Sequence, residues 1–172
     1  YFHLLRWQAH NPHHRPLVVF TPKSMLRLKA ASSKREDFTH GAFQPVITDN
    51  AVDPSKVTRV LLCSGKVTWD LHAEREKSGR NDVAIVRVER LYPTPVDEVK
   101  AALAAFPNAT DIVWVQEEPA NQGMWPFMAL NLSEHLGRPL RRVSRASTAS
   151  PAVGSHKVHE HEQAELVAAA FA

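Results

Sequence analysis

Three short stretches hold residue types that could do chemistry. Ser64-Gly65-Lys66 stands where an apolar run gives way to a polar one. There, helix-terminal N–H groups, a glycine allowing close approach and a lysine would make an anion site, and a tight strand-to-helix turn is the plainer alternative. Gln116-Glu117-Glu118-Pro119 follows another apolar run, with Asn121-Gln122-Gly123-Met124-Trp125 behind it. Adjacent carboxylates can act as acid and base or receive arginines; on a turn they point apart, so Glu117, Glu118 and Trp125 read better as interface residues. Arg138, Arg141, Arg142 and Arg145 precede the small-residue segment 149–155. They suit phosphates, an acidic neighbour or a solvated edge.

Several chemistries lack their residues. A phosphate-binding P-loop needs glycine at 60 and Ser or Thr at 67, and both are valine. No Gly-x-Gly-x-x-Gly, nucleophile elbow or His-Glu-x-x-His occurs. The 10 histidines gather at 10–14 and 156–161 among polar residues, without cysteine support, and read as surface groups rather than a metal site. Cys63 is alone in Leu61-Leu62-Cys63-Ser64, so no intrachain disulfide forms; it reads as a small buried hydrophobe in a reducing, cytoplasmic protein.

The elements that position these stretches follow from periodicity. Apolar runs at 57–63, 83–88, 112–115 and 140–143 read as strands, and 66–77, 95–106, 124–136 and 158–171 as helices. Val67, Leu71 and Ala73 are expected inward on the first of these helices, and Val96, Val99, Leu103 and Phe106 on the second. Gly137 closes the third. Strand–helix alternation with short links predicts an α/β domain, three-layer α/β/α on a largely parallel sheet. Ahead of it, a helix should end before Pro12, and 17–20 reads as a buried strand. Residues 23–57 read as a surface connection with one helical turn after Ser32 or Ser33.

Composition agrees with one globular domain: 172 residues, 44% hydrophobic, 23% charged. The net charge of +3 and the lack of aromatic interleaving argue against nucleic acid, and no apolar run spans a membrane. Without an initial Met, and with a helical run starting at once, Tyr1 reads as an internal residue. On these residues alone, a free-standing binding module for a phosphorylated ligand is one reading.

Five ordered blocks give a second. Phe20-Thr21-Pro22-Lys23-Ser24-Met25-Leu26-Arg27, Leu62-Cys63-Ser64-Gly65-Lys66-Val67, Val83-Ala84-Ile85-Val86-Arg87-Val88-Glu89, Gln116-Glu117-Glu118-Pro119 with Asn121-Gln122-Gly123, and Ala149-Ser150-Pro151-Ala152-Val153-Gly154-Ser155 resemble the C-terminal part of the thiamine-diphosphate-dependent decarboxylating component of 2-oxoglutarate dehydrogenase. The resemblance implies a parent enzyme that decarboxylates 2-oxoglutarate on thiamine diphosphate with Mg. That enzyme passes the succinyl group to a lipoyl-bearing succinyltransferase component in the citric acid cycle. It also implies a homodimer, with residues 1–24 ending a pyrimidine-binding domain and 25–172 forming a C-terminal domain like that of transketolase. The cofactor and catalytic residues would lie outside this segment, which would be structural and dimer-forming. A site for acetyl-CoA or AMP as effector is expected, with Arg6, Lys23, Ser64 and Lys66 as candidates. Relatives are expected to carry a second arginine after Arg6, where this chain has Trp7, and a tyrosine where it has Trp69.

Overall fold

A computed structural model describes all residues from Tyr1 to Ala172. The chain forms two compact units, Tyr1–Gln44 and Pro45–Ala172.

The first unit contains α1 (Phe2–His10), two 3-10 turns (Lys23–Arg27 and Lys29–Ala31) and α2 (Glu36–Thr39). α1 stops at Asn11, whose side-chain oxygen accepts from the N–H of His13 at 2.9 Å, turning the chain before it could continue as helix. The helical turn expected after Ser32 or Ser33 is α2, but residues 23–57 are more than a surface connection: they also form 3-10 turns and a short strand at Val46–Ile47, and Asp49 and Val57 are buried. The buried strand expected at 17–20 is not formed. Those residues belong to no sheet, and Val18 and Phe20 are 73% and 92% exposed. A strand needs a neighbour for its backbone groups, and this unit contains no other strand to pair with. None of its residues is buried.

The second unit is built on a five-stranded sheet, in the order β1-β3-β2-β4-β5. Its strands are β1 (Val46–Ile47), β2 (Arg59–Cys63), β3 (Val83–Val88), β4 (Asp111–Pro119) and β5 (Arg141–Arg145). β2, β3, β4 and β5 run parallel, and the short β1 pairs antiparallel with β3 at one edge. The helices are α3 (Val67–Ser78), α4 (Val96–Ala104), α5 (Trp125–Asn131), α6 (Ser133–Leu136) and α7 (His156–Phe171).

Strand alternation divides the core in two. Val60, Leu62, Ala84, Val86, Ile112 and Trp114 face α4 and α5, where Val99, Ala102, Phe106 and Met128 complete one cluster. Leu61, Cys63, Val83, Ile85, Val113 and Val115 face α3 and α7, where Val67, Leu71, Leu166, Val167 and Phe171 complete the other. Helices on both faces of a mostly parallel sheet make the expected three-layer α/β/α fold.

Three local expectations need correction. Ala73 is exposed and Arg75 is buried instead, because 67, 71 and 75 recur every four residues and 73 falls on the opposite side of the helix. The single helix expected over 124–136 breaks at Leu132 into α5 and α6; Asn131 turns its amide back to the carbonyl of Phe127 at 2.8 Å, competing with the helix. The strand expected to end at Val115 continues to Pro119, with a register shift against β5 between Val115 and Pro119.

Candidate functional site

In an open parallel sheet, ligands gather beyond the carboxyl ends of the strands, where successive connections leave to opposite sides. Here that point lies between β2, whose connection runs to β3, and β4, whose connection runs to β5. The two strands pair in register from Arg59 opposite Asp111 to Cys63 opposite Val115. Ser64-Gly65-Lys66 leaves the end of β2, while β4 carries on to Glu117 and Glu118, so two of the three stretches meet at one place.

Gly65 has φ +74°, a conformation that disfavours a side chain, and no atom lies within 4 Å of where a Cβ would sit. The turn is therefore open to close approach. Lys66 follows at the start of α3, and its Nζ lies 2.5 Å from Glu117 Oε1 and 3.2 Å from Asp70 Oδ2. Its side chain is 27% exposed and that of Glu117 24%. Burial opposes the Lys66 charge, but the hydrogen bond and charge of Glu117, joined by Asp70, outweigh it and hold the ammonium above its ordinary range.

The network extends into α7 and β5. Gln163 Nε2 donates to Asp70 Oδ2 at 2.8 Å. Arg145 donates to the Glu117 carbonyl at 2.7 Å, to Glu162 Oε2 at 3.1 Å and to the Pro151 carbonyl at 2.7 Å. Lys66, Asp70, Glu117, Arg145, Glu162 and Gln163 thus tie together the ends of β2, β4 and β5, the helices α3 and α7, and the segment after β5. An anion arriving at the Gly65 turn meets a lysine that already holds two carboxylates, with one of its three N–H donors left over.

Gln116 fixes the loop beyond. Its side-chain oxygen accepts from Trp114 Nε1 at 3.0 Å and from the Trp125 N–H at 2.7 Å, while its amide donates to the carbonyls of Pro119 and Gln122. Gly123, at φ +63°, closes against this peg: a Cβ there would stand 2.8 Å from Glu118 Cβ. Trp125 is half-buried, with the Arg142 guanidinium 5.4 Å from its ring centre. Glu118 is exposed and makes no ion pair.

The remaining expected residues sit as follows. Arg6 lies on α1 and Lys23 opens a 3-10 turn, both exposed and both in the first unit. Cys63 is buried beside Thr68, and burial pushes its thiol up to about 12, which leaves it inert as a nucleophile. On α7, His156 and His161 pair with Glu160 and Glu165, each at 3.3 Å and on the solvent side. No group of three His, Cys, Asp or Glu side chains converges in the way metal ligands do.

The sequence reading missed Asp70, Gln163 and Arg87. Asp70 had a visible signal, the Lys66–Asp70 spacing of one helical turn. Arg87 lies opposite Cys63 in the β2–β3 register, with its guanidinium 5.4 Å from the Trp69 ring centre. Nothing in the sequence joins Gln163 to a residue 93 positions earlier.

The chain is similar along its whole length to known proteins. The family model described as 2-oxoglutarate dehydrogenase C-terminal matches residues 32–171. The 2-oxoglutarate dehydrogenase E1/E2 component of Corynebacterium glutamicum is 50% identical over 175 residues, covering 99% of this chain and 14% of that protein. The multifunctional 2-oxoglutarate metabolism enzyme of Mycolicibacterium vanbaalenii is 49% identical over 179 residues, again 99% of this chain and 14% of the relative. That of Mycobacterium sp. strain JLS is 48% identical over 180 residues. The chain spans about 14% of the length of these relatives. With the family model covering most of its residues and identities near one half, the chain belongs to the 2-oxoglutarate dehydrogenase C-terminal family.

Proposed function

We propose that this chain serves as the C-terminal domain of an enzyme that decarboxylates 2-oxoglutarate on thiamine diphosphate with Mg and transfers the succinyl group to a lipoyl-bearing succinyltransferase component. The observation that carries the reading is the 50% identity to an E1/E2 component across 99% of the chain. In this reading the cofactor and the bond-breaking residues are supplied outside these 172 residues. The chain's own part is to build the domain, to contact a second copy in a cytoplasmic homodimer, and to form an effector site for acetyl-CoA or AMP. Residues 1–24 end a pyrimidine-binding domain and 25–172 form the transketolase-like domain. Exposed apolar side chains at 17–20 accord with a partner supplied from elsewhere in such an enzyme.

Within the effector site, Lys66 is the cation at the open Gly65 turn, and Ser64 stands beside it. Arg6 and Lys23, in the first unit, are separate candidates for phosphate contacts, and Trp7 removes one charge that relatives are expected to place next to Arg6. Glu117, Glu118 and Trp125 are assigned to subunit contacts, Glu117 also serving as the resident counter-ion of Lys66. The test of the parent activity is carbon dioxide release from 2-oxoglutarate by the full-length enzyme that contains this chain. Release that depends on thiamine diphosphate and Mg, and is much faster than from pyruvate, is expected. Turnover indifferent to 2-oxoglutarate would remove the reading.

A further inference from the structure

The arginine-rich strand β5 enters the site above through Arg145 and through Arg142, which rests against Trp125, and its outer edge gives it a second property. β5 is the last strand of the sheet and pairs only with β4. The carbonyl of Arg145 accepts from the N–H of Ala120 on the β4 side at 3.0 Å. By the two-residue alternation of a strand, the backbone groups of Arg142 and Ser144 then face away from the sheet. An open edge of this kind is a template for another extended segment.

Its charge is one-sided. From residue 138 to 159 the chain contains Arg138, Arg141, Arg142, Arg145 and Lys157 and no Asp or Glu. Arg141 is engaged by Asp111, and Arg145 by Glu162. Arg138 and Arg142 are exposed and make no ion pair; Arg138 donates only to the Ala109 carbonyl, and Arg142 rests against Trp125. Beside the strand, a cavity of about 770 Å³ lies between β5, residues 146–155 and α7, lined by Ser144, Thr148, Ser150 and Val158 and, on the α7 side, by Glu162 and Glu165, so the unpaired positive charge belongs to the strand's other face and the cavity suits uncharged side chains. A second copy of the same edge would bring like charges together. A free phosphate would use the arginines but not the backbone groups spaced along the strand.

We propose that the open edge of β5 is a docking strip for an extended acidic segment of a partner protein, which adds as a sixth strand with its carboxylates toward Arg138 and Arg142. Backbone pairing supplies the alignment, and the cavity beside the strand takes the side chains of its other face. Being remote in chemistry from decarboxylation, the strip does not depend on the reading of the parent enzyme.

The test uses the full-length protein that contains this chain, with a blocked peptide of alternating Glu and Val as probe and hydrogen–deuterium exchange followed by mass spectrometry. Amide hydrogen exchange is read at Arg142 and Ser144, with an alternating Lys and Val peptide and inorganic pyrophosphate as comparisons. At peptide concentrations up to about 1 mM, the acidic peptide should slow exchange at those two amides by about tenfold or more. Arg142→Glu should raise its half-saturating concentration by about tenfold, and Ser144→Pro, which removes one outward N–H at a position an edge tolerates, should abolish the slowing. Three results overturn the proposal: no slowing with the acidic peptide, equal slowing with the basic peptide, or binding of pyrophosphate and peptide alike without protection of the amides, which would leave only an anion patch.

Discussion

Tyr1–Gln44 and Pro45–Ala172 differ in what their apolar residues meet. The first unit carries Phe2, Leu5, Trp7, Val18 and Phe20 on the surface and buries none of its residues. The second buries Val60, Leu61, Leu62, Val83, Ile85 and Trp114 between strands and helices on both faces of its sheet. Both are apolar in composition. An apolar run becomes core only where the chain also supplies a partner surface and partners for the backbone. Leu61 has β3 and β4 beside it and α3 and α7 above; Val18 has no strand beside it.

That contrast can be broken most forcefully at the second unit's buried ion pair. Asp49 accepts from Arg75, from the Ile85 N–H at 2.8 Å and from the Ala51 N–H at 3.0 Å. Asp49→Ala leaves the Arg75 charge and the Ile85 N–H without their acceptor, and urea unfolding should show a loss of about 3–5 kcal/mol. Leu61→Ala should cost about 2–5 kcal/mol by leaving a cavity on the α3–α7 face. Phe20→Ala, by contrast, should change the stability of this chain by less than about 0.5 kcal/mol. A loss at Phe20 as large as that at Leu61 would erase the distinction between the two units.

Smaller effects sharpen it. Gly123→Ala places a Cβ against Glu118 in a left-handed conformation and should cost about 1–2 kcal/mol. The pH response should follow Asp49. Burial raises the carboxyl, but the hydrogen bonds from Arg75, Ile85 and Ala51 and the Arg75 charge outweigh it and hold it below its ordinary value. The pair's contribution is therefore complete above the ordinary carboxylate range and is lost as pH falls through the lower folded-state value. Unfolding midpoints measured across acid pH should fall less steeply in Asp49→Asn than in the parent chain. The mildest expectation concerns Glu117→Gln, which takes one of two carboxylates from Lys66. A several-fold lower half-saturating acetyl-CoA or AMP concentration in the full-length enzyme would place Glu117 in competition with the effector, and an unchanged one would not.

The parts legible in the sequence were those set by short-range pattern. The strand Val83–Val88 follows from six consecutive residues bounded by Asn81-Asp82 and by the turn before Pro93, and Ser64-Gly65-Lys66 from the handover between two periodicities. The meeting of Lys66 with Glu117 was not legible, because it depends on β2 and β4 lying side by side and on β4 running past Val115. Arg75 was missed because a charged residue hides a helical repeat that it nonetheless completes. Residues 17–20 misled for the converse reason. Val18 and Val19 have strand-forming side chains, but pairing is a property of the neighbour, which a run of four residues cannot reveal.

The most direct measurement is the effector response of 2-oxoglutarate decarboxylation in the full-length enzyme, with Lys66→Ala compared with the parent over acetyl-CoA and AMP titrations. An increase of about tenfold or more in the half-maximal effector concentration, with thiamine diphosphate binding retained, is the result the account predicts. Superimposable titrations for the two proteins would contradict it and leave the Gly65 turn as a strand-to-helix connection alone.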